Sequence, residues 1–283
     1  MTTQPQKIAG LAALASAFDC YLIDQYGVLH DGRAPYPGTV EALRKLAEAG
    51  KRSIILTNSG KRSAVNAERL VRLGFPAETF SHVVSSGEVT WQAIADGSLG
   101  PPLARGARVF VVGRQDDDYG LTGLALEPVA RPEHADFVLI SGSDAPATSL
   151  QDYGALLRLA AAKRVPALCA NPDMLMLTDN GLQPAPGGIA DVYAKLGGPV
   201  TYTGKPYPAI YRFALRLADG VEQERVLAVG DSAEHDVAGA TAMGLSSALV
   251  RTGILAAEPE DALASVFARF KAYPTYILEA FRW

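Results

Sequence analysis

The sequence predicts an α/β protein, a doubly wound parallel sheet with a second α/β domain inserted into it. Three observations carry this expectation. Short apolar runs recur between longer amphipathic stretches, the pattern of buried parallel strands joined by helices. Several runs end in glycine or in polar residues, as strands do where an open sheet meets its ligand. At 283 residues the chain exceeds the usual size of one domain, and after a Pro/Gly-rich stretch it returns to the pattern of its first 85 residues.

In chain order, the strands are expected at Tyr21–Ile23, Ser53–Leu56, Val83–Ser85, Arg108–Val112, Phe137–Ile140, Ala167–Cys169, Val200–Tyr202, Val226–Val229 and Ser247–Val250. Helical periodicity covers Thr39–Ala49, Ala64–Leu73, Ser149–Lys163, Tyr207–Leu217 and His235–Met243. Gly50, Gly74 and Gly244 follow last turns, where a residue able to adopt positive φ ends a helix. Linkers at Asp96–Pro102 and Gln183–Gly188 are rich in Pro and Gly. The expected division is therefore a core of residues 1–85 and 188–283 with an inserted domain of residues 86–187.

Composition narrows the function classes. Hydrophobic residues make up 48% and charged ones 20%, which suits a folded globular chain and not a disordered one. A formal net charge of -4 gives no basic face for nucleic acid or anionic lipid, so neither nucleic acid nor membrane is an expected partner. No apolar run approaches the roughly 20 residues that span a bilayer. Leu11–Phe18 is apolar, but it runs directly into the first strand and is read as a lead-in helix, not a signal segment. Cys20 and Cys169 lack CxxC spacing and sit in apolar runs, as buried free thiols of a reducing, cytoplasmic compartment do.

The chemistry concentrates at four strand ends: Asp24, Thr57-Asn58, Lys205 and Gly230-Asp231. Asp24 precedes Tyr26-Gly27, and Gly27 permits a sharp turn there. A carboxylate so placed can act as a covalent nucleophile, or it can simply be a solvated strand end. Asp231 and Asp236 stand five apart where a strand meets a helix. A hard cation such as Mg²⁺ takes one or two such carboxylates plus a substrate phosphate, although Asp231 or Ser232 can equally cap the helix. Lys205 in Thr203-Gly204-Lys205-Pro206 can neutralise charge on a transferring phosphoryl group. It is not a nucleotide-type phosphate loop, because the spaced glycine is missing and proline follows the lysine. Thr57, Asn58 and Ser59 offer hydroxyl, amide and backbone N–H donors to phosphate oxygens.

In this order, Asp24, Thr57, Lys205 and Asp231 with Asp236 resemble the four motifs of the haloacid dehalogenase superfamily, over nearly the whole chain. The insertion between the second and third motifs, with Leu56-Thr57-Asn58, Ser85-Ser86-Gly87-Glu88, Ala170-Asn171-Pro172-Asp173 and Gly204-Lys205-Pro206, is similar to class IIA. The resemblance implies a Rossmann-like core and an inserted cap that closes over the cleft and chooses the substrate. It implies a Mg²⁺-dependent phosphatase acting on a small-molecule phosphate ester, with Asp24 as nucleophile and Lys205 as its catalytic partner. Thr57, Asn58 and Lys205 would grip the phosphate. Mg²⁺ would be held by Asp24, Asp231 and the main-chain carbonyl of Tyr26, with Asp236 in support.

One departure matters. Phosphatases of this superfamily carry a second Asp two positions after the nucleophile as general acid and base, and here that position is Tyr26. Losing a general acid lowers a rate about 10²- to 10⁴-fold. His30, Glu234 and His235 are the nearby residues that could supply a proton. A phospho-ligand binder without turnover is the alternative, and Asp24-Gln25-Tyr26-Gly27 also looks like the motif of the metal-independent haloacid dehalogenases. The spacing of Asp231 and Asp236 argues against the latter. Asp116-Asp117-Asp118 reads as a solvated charge run. Asn171, Asp173 and Asp144 are candidate residues of the inserted domain. The apolar tail Tyr276–Trp283 is expected to pack on the core or on a second copy of the chain, which leaves a homo-oligomer open.

Overall fold

The computed structural model describes residues 4–114, 117–178 and 181–283. Its strands, in chain order, are β1 (Gln6–Lys7), β2 (Cys20–Ile23), β3 (Arg52–Thr57), β4 (His82–Ser85), β5 (Arg108–Val112), β6 (Glu127–Pro128), β7 (Phe137–Ile140), β8 (Ala167–Cys169), β9 (Leu175–Thr178), β10 (Gly181–Pro184), β11 (Val200–Tyr202), β12 (Val226–Gly230), β13 (Ser246–Val250) and β14 (Tyr276–Leu278). The α-helices are α1 (Thr39–Glu48), α2 (Ser63–Arg72), α3 (Ser86–Ala95), α4 (Leu150–Ala162), α5 (Pro186–Lys195), α6 (Pro208–Leu217), α7 (Ala238–Ala242) and α8 (Leu263–Phe270). The chain divides into two compact units.

The first unit comprises residues up to Thr57, Ala64–Val84 and Lys205–Trp283. Its sheet runs β1-β14-β13-β12-β2-β3-β4, and the registered pairs are parallel. From β2 the chain winds outward through β3 and β4, then returns to β12 on the other side and winds through β13 and β14. The strand order therefore reverses between β2 and β12, the place where open α/β sheets bind ligands. β2 and β12 are buried along their whole length, hence their unbroken apolar sequences. Leu43 and Leu46 of α1 and Leu70 of α2 join Tyr21, Ile23, Leu227 and Val229 in one core. The tail packs there too: β14 adds a strand and Phe281 is fully buried in this core. Leu11–Leu14 forms a short 3₁₀ turn in place of the expected lead-in helix.

The second unit comprises Asn58–Ser63 and Ser85–Gly204. Its parallel sheet runs β11-β8-β7-β5-β6, and an antiparallel hairpin β9-β10 adds a separate two-stranded sheet. The expected return to the core at residue 188 lies too early in the chain. The Pro/Gly-rich stretch Gln183–Gly188 is the end of β10 and the first turn of α5, which starts on Pro186 as helices often do. Ile189, Ala190 and Tyr193 of α5 pack on this unit's own core, and β11 pairs with β8, so the unit extends to Gly204. Capping is local and orderly: Ser85 accepts the Glu88 N–H at the start of α3, and Ser149 with Asp152 forms a capping box on α4. Cys20 and Cys169 are free and buried, and no helix among the described residues is long and apolar enough to cross a membrane.

Candidate active site

In the first unit, the strand-order reversal puts the carboxyl ends of β2 and β12 side by side. Asp24 follows β2, and its N–H still donates to Val229 O of β12 (2.9 Å). Asp231 follows β12, and Asp236 sits on a single π-type turn, Ala233–Val237, that leads into α7. Such turns recur at functional sites because they displace one side chain from the α-helical register. Lys205 reaches in from the segment before α6. Its Nζ donates to Asp24 Oδ1 and Asp236 Oδ1, both at 2.7 Å, and the lysine is only 3% exposed. Oxygens of Asp24, Asp231 and Asp236 all lie within 4.8 Å of one another.

This arrangement gathers three buried carboxylates around one ammonium. Burial pushes the Asp24 carboxyl well above its ordinary value; Lys205 pulls it down, while Asp236 and Asp231 push it further up. Burial, and then the charge of Asp236, raises Asp231 to about 7 against the pull of the Ile254 N–H. Burial opposes the Lys205 charge, but Asp236 and Asp24 outweigh it and hold the ammonium well above its ordinary value. With one lysine against three carboxylates, the cluster suits a further cation, and its hard oxygen donors suit Mg²⁺ or Ca²⁺ better than a soft metal.

Glycines fit the backbone around these carboxylates. A Cβ on Gly27 would stand 2.2 Å from Asp231 Oδ2, and one on Gly253 would stand 1.8 Å from it. A Cβ on Gly230 would stand 2.0 Å from Asp236 Cγ. Gly27 also has φ +87°, which only glycine adopts without strain. The Ile254 N–H donates to Asp231 Oδ2 (2.7 Å), and the Thr252 hydroxyl donates to Gly27 O (2.6 Å). Gly27 N–H donates to His30 O (3.0 Å), so the trans peptide aims the Tyr26 carbonyl the opposite way. Ser232 N–H donates to Asp236 Oδ2 (3.1 Å), and Tyr211 donates its hydroxyl to the carbonyls of His235 and Asp236 (3.2 Å each).

Thr252, Gly253, Ile254 and Tyr211 escaped sequence reasoning. The signal for the first three was present: Arg251-Thr252-Gly253 is one more polar, glycine-bearing strand end, following β13. Tyr211 carries no such signal, since it reads as an ordinary apolar position of α6.

The expected phosphate-binding residues divide between the units. Thr57 ends β3, the strand beside β2, and its hydroxyl accepts Gln25 Nε2 (2.8 Å). Asn58 belongs to the second unit, where its amide donates to Asp173 Oδ1 (2.8 Å) and its Oδ1 accepts the Ser86 hydroxyl (3.4 Å). Asp173 thus partners a residue of the second motif, and Asn171 Oδ1 accepts the Asp173 N–H (3.0 Å). Tyr26 is 43% exposed and its ring meets His30 edge-on, centroids 5.9 Å apart.

His30 is not a ready proton donor. Its ring is fully buried, Nδ1 accepts the Gly32 N–H (2.9 Å), and burial lowers its pKa to about 4. His235 engages the Ser232 hydroxyl through Nδ1 (3.2 Å), and Glu234 is half-buried on the π turn. Asp117 pairs with Lys61 Nζ (2.6 Å) and is not a solvated charge; Asp116 lies outside the described residues.

The reversal point of the doubly wound sheet thus carries Asp24, the buried Lys205, and Asp231 with Asp236. Residues 21–127 match the haloacid dehalogenase-like hydrolase family, and residues 202–282 match a second model of HAD-like hydrolases. A D-glycerol 3-phosphate phosphatase of Mycobacterium tuberculosis is 33% identical over 94% of this chain and 71% of its own. A haloacid dehalogenase-like hydrolase from Brucella suis superimposes with TM-score 0.82 at 29% identity, over 97% of this chain and 99% of its own. The glycerol phosphate phosphatase of M. tuberculosis, solved with magnesium, superimposes with TM-score 0.71 at 33% identity, over 93% and 75%. The chain belongs to the haloacid dehalogenase superfamily, as a class IIA hydrolase with an inserted α/β cap domain.

Proposed function

We propose that the protein is a Mg²⁺-dependent phosphoric monoester hydrolase acting on a small phosphorylated metabolite through an aspartyl-phosphate at Asp24. One observation carries the reading: buried Lys205 bridges Asp24 and Asp236 at 2.7 Å beside Asp231, a cluster short of positive charge at the point where the sheet binds ligands. The named phosphatase relatives support the reaction class.

In this reading an Asp24 oxygen forms the bond to phosphorus while the ester P–O bond breaks and the alcohol leaves with a proton. Water then attacks the phosphorus, the acyl-phosphate P–O bond breaks, and Asp24 is restored as phosphate departs. Lys205 holds Asp24 in its attacking orientation and neutralises charge on the phosphoryl oxygens. Thr57 binds the phosphate, as does Asn58 once its amide leaves Asp173. Asp24, Asp231 and the Tyr26 carbonyl would hold Mg²⁺, with Asp236 in support; the ion supplies charge neutralisation for the transferring group.

Tyr26 favours a second reading. No carboxylate stands two residues after the nucleophile, so both the departure of the alcohol and the attack of water lack their usual proton relay. The protein would then be a slow enzyme or a phospho-ligand binder. Steady-state phosphate release from p-nitrophenyl phosphate and a panel of metabolite phosphates, with Mg²⁺ or EDTA, decides between the readings. Metal-dependent turnover that vanishes in Asp24→Asn supports the phosphatase. Absence of turnover that Tyr26→Asp restores supports the binder, and metal-independent activity on haloacids would overturn both.

A further inference from the structure

The residue after Asp24 carries a buried amide that the reaction proposed above does not use. Gln25 stands two positions beyond Ile23, and Thr57 stands two beyond Ile55, with which Ile23 pairs across β2 and β3. Side chains two apart along an extended chain share a face, so Gln25 and Thr57 follow Ile23 and Ile55 on the side of the sheet that builds the core of the first unit. Helix α2 covers that side. Its Leu70 packs in the same core, and Asn66, one turn earlier, is buried on the same helix face. Gln25 and Asn66 are each 4% exposed.

Gln25 Nε2 donates to Thr57 Oγ1 (2.8 Å) and to Asn66 Oδ1 (3.3 Å), which engages both of its N–H groups. Gln25 Oε1 is buried with no hydrogen-bond partner among the described residues. Burying an amide oxygen without a donor costs free energy, and apolar side chains of the same shape would pack β2 against α2 at least as well. Asparagine is also a weak helix former that usually turns to solvent or to the backbone when it stands inside a helix, whereas Asn66 holds the Gln25 amide. Packing therefore leaves this network unexplained. What the network fixes is the donor end of Gln25, at Thr57.

That end dictates the direction of a proton. An amide nitrogen only donates, so the Thr57 hydroxyl is the acceptor of the 2.8 Å bond and its single proton points away from Gln25. The χ1 angle of a threonine is stiff, but its hydroxyl proton turns freely, and the bond from Gln25 removes the orientations that face the amide. A hydroxyl so turned is a ready donor to an anion, and hydrogen bonds to ionised acceptors are the stronger kind. Because the orientation is set before the anion arrives, binding does not have to impose it.

We propose that Gln25 is a positioning residue of the phosphate site: its amide, held by Asn66, makes the Thr57 hydroxyl an acceptor on one side and so a donor to a phosphate oxygen on the other. The proposal rests on the reading of Thr57 as a phosphate ligand, and every residue in it belongs to the first unit. The test is a double-mutant cycle on the full chain. Calorimetric binding of inorganic phosphate with Mg²⁺ present is measured for the unmodified protein, Gln25→Met, Thr57→Val and Gln25→Met/Thr57→Val, and turnover of p-nitrophenyl phosphate and metabolite phosphates is measured on the same samples. Methionine keeps the length of glutamine and removes its N–H donors.

Gln25→Met is expected to weaken phosphate binding on the order of tenfold, as loss of one hydrogen bond to an ion does, and to add no further loss once Thr57→Val is present. Thr57→Ser keeps the hydroxyl and should restore the dependence on Gln25. Gln25→Met/Asn66→Leu replaces the amide pair together, guards against a folding defect, and should unfold cooperatively while showing the same loss of affinity. Equal losses for Gln25→Met with and without the Thr57 hydroxyl overturn the proposal, as does lowered thermal stability with unchanged phosphate affinity. Absence of phosphate binding by the unmodified protein overturns it too. Coupling of Gln25 to Thr57 in binding without turnover of any ester would keep the positioning role and reject the phosphatase; turnover that vanishes in Asp24→Asn, with no such coupling, would do the reverse.

Discussion

The two units apply one winding rule to opposite electrostatic ends. Each is a parallel sheet whose strand order reverses once, and each gathers its polar side chains at that reversal. In the first, glycines 27, 230 and 253 leave room for buried carboxylates, which accumulate negative charge around one lysine. In the second, glycines 60 and 142 admit a carbonyl and a phenol, and among the described residues the charged groups there are two cations and one carboxylate. The fold therefore provides the place, and the side chains set the charge that gathers there.

The comparison breaks most visibly at Asp24, the proposed nucleophile. Asp24→Asn should lower phosphate release by at least about 10³-fold, as removal of a covalent nucleophile does, measured under saturating substrate. Tyr26→Asp should raise turnover about 10²-fold or more if the missing proton relay limits the rate, with little change in Mg²⁺ affinity, because the proposed ligand at that position is the backbone carbonyl and not the side chain. Gly253→Ala drives a Cβ into Asp231 and should weaken Mg²⁺ binding about 10- to 100-fold, read by metal-dependent thermal shift as well as by activity. Gly142→Ala is its counterpart in the second unit. It should destabilise the protein by about 1–3 kcal/mol through Tyr119, yet leave Mg²⁺ affinity where it was. Equal effects of the two substitutions on metal binding would contradict the division of labour.

A stability effect separates the units further. His30 has its pKa lowered from 6.5 to about 4 by burial. Between those values the unfolded chain takes up a proton that the native ring refuses, so stability is intact above 6.5 and is lost as pH falls toward 4. The loss is about 3 kcal/mol. His30→Leu should flatten that part of the acid limb in urea titrations; an unchanged slope would place the acid sensitivity elsewhere.

The sheet strands were largely legible in the sequence, because strands buried on both faces write themselves as apolar runs. Asp24, Thr57, Lys205 and Asp231 were legible as the polar residues that end such runs. The β9-β10 hairpin was not: Leu175, Leu177 and Leu182 are exposed, so their spacing does not mark a core face. For the same reason the Pro and Gly of Gln183–Gly188 suggested a linker where the chain starts a buried helix. The partnership of Asn58 with Asp173 depends on residues more than a hundred positions apart, which local pattern cannot register. The clamp of Gly253 and Ile254 on Asp231 depends on close approach of two loops, visible only once the sheet order is known.

The most direct test of Asp24 as a covalent nucleophile is a rapid acid quench during turnover of a phosphate ester carrying labelled phosphorus, followed by peptide mapping. Label on the peptide containing Asp24, released by hydroxylamine and absent from Asp24→Asn, is the predicted result. Because Tyr26 leaves both the departure of the alcohol and the attack of water without their usual proton relay, the labelled fraction reports which of the two steps is slower. Turnover with no label at Asp24 would contradict the account.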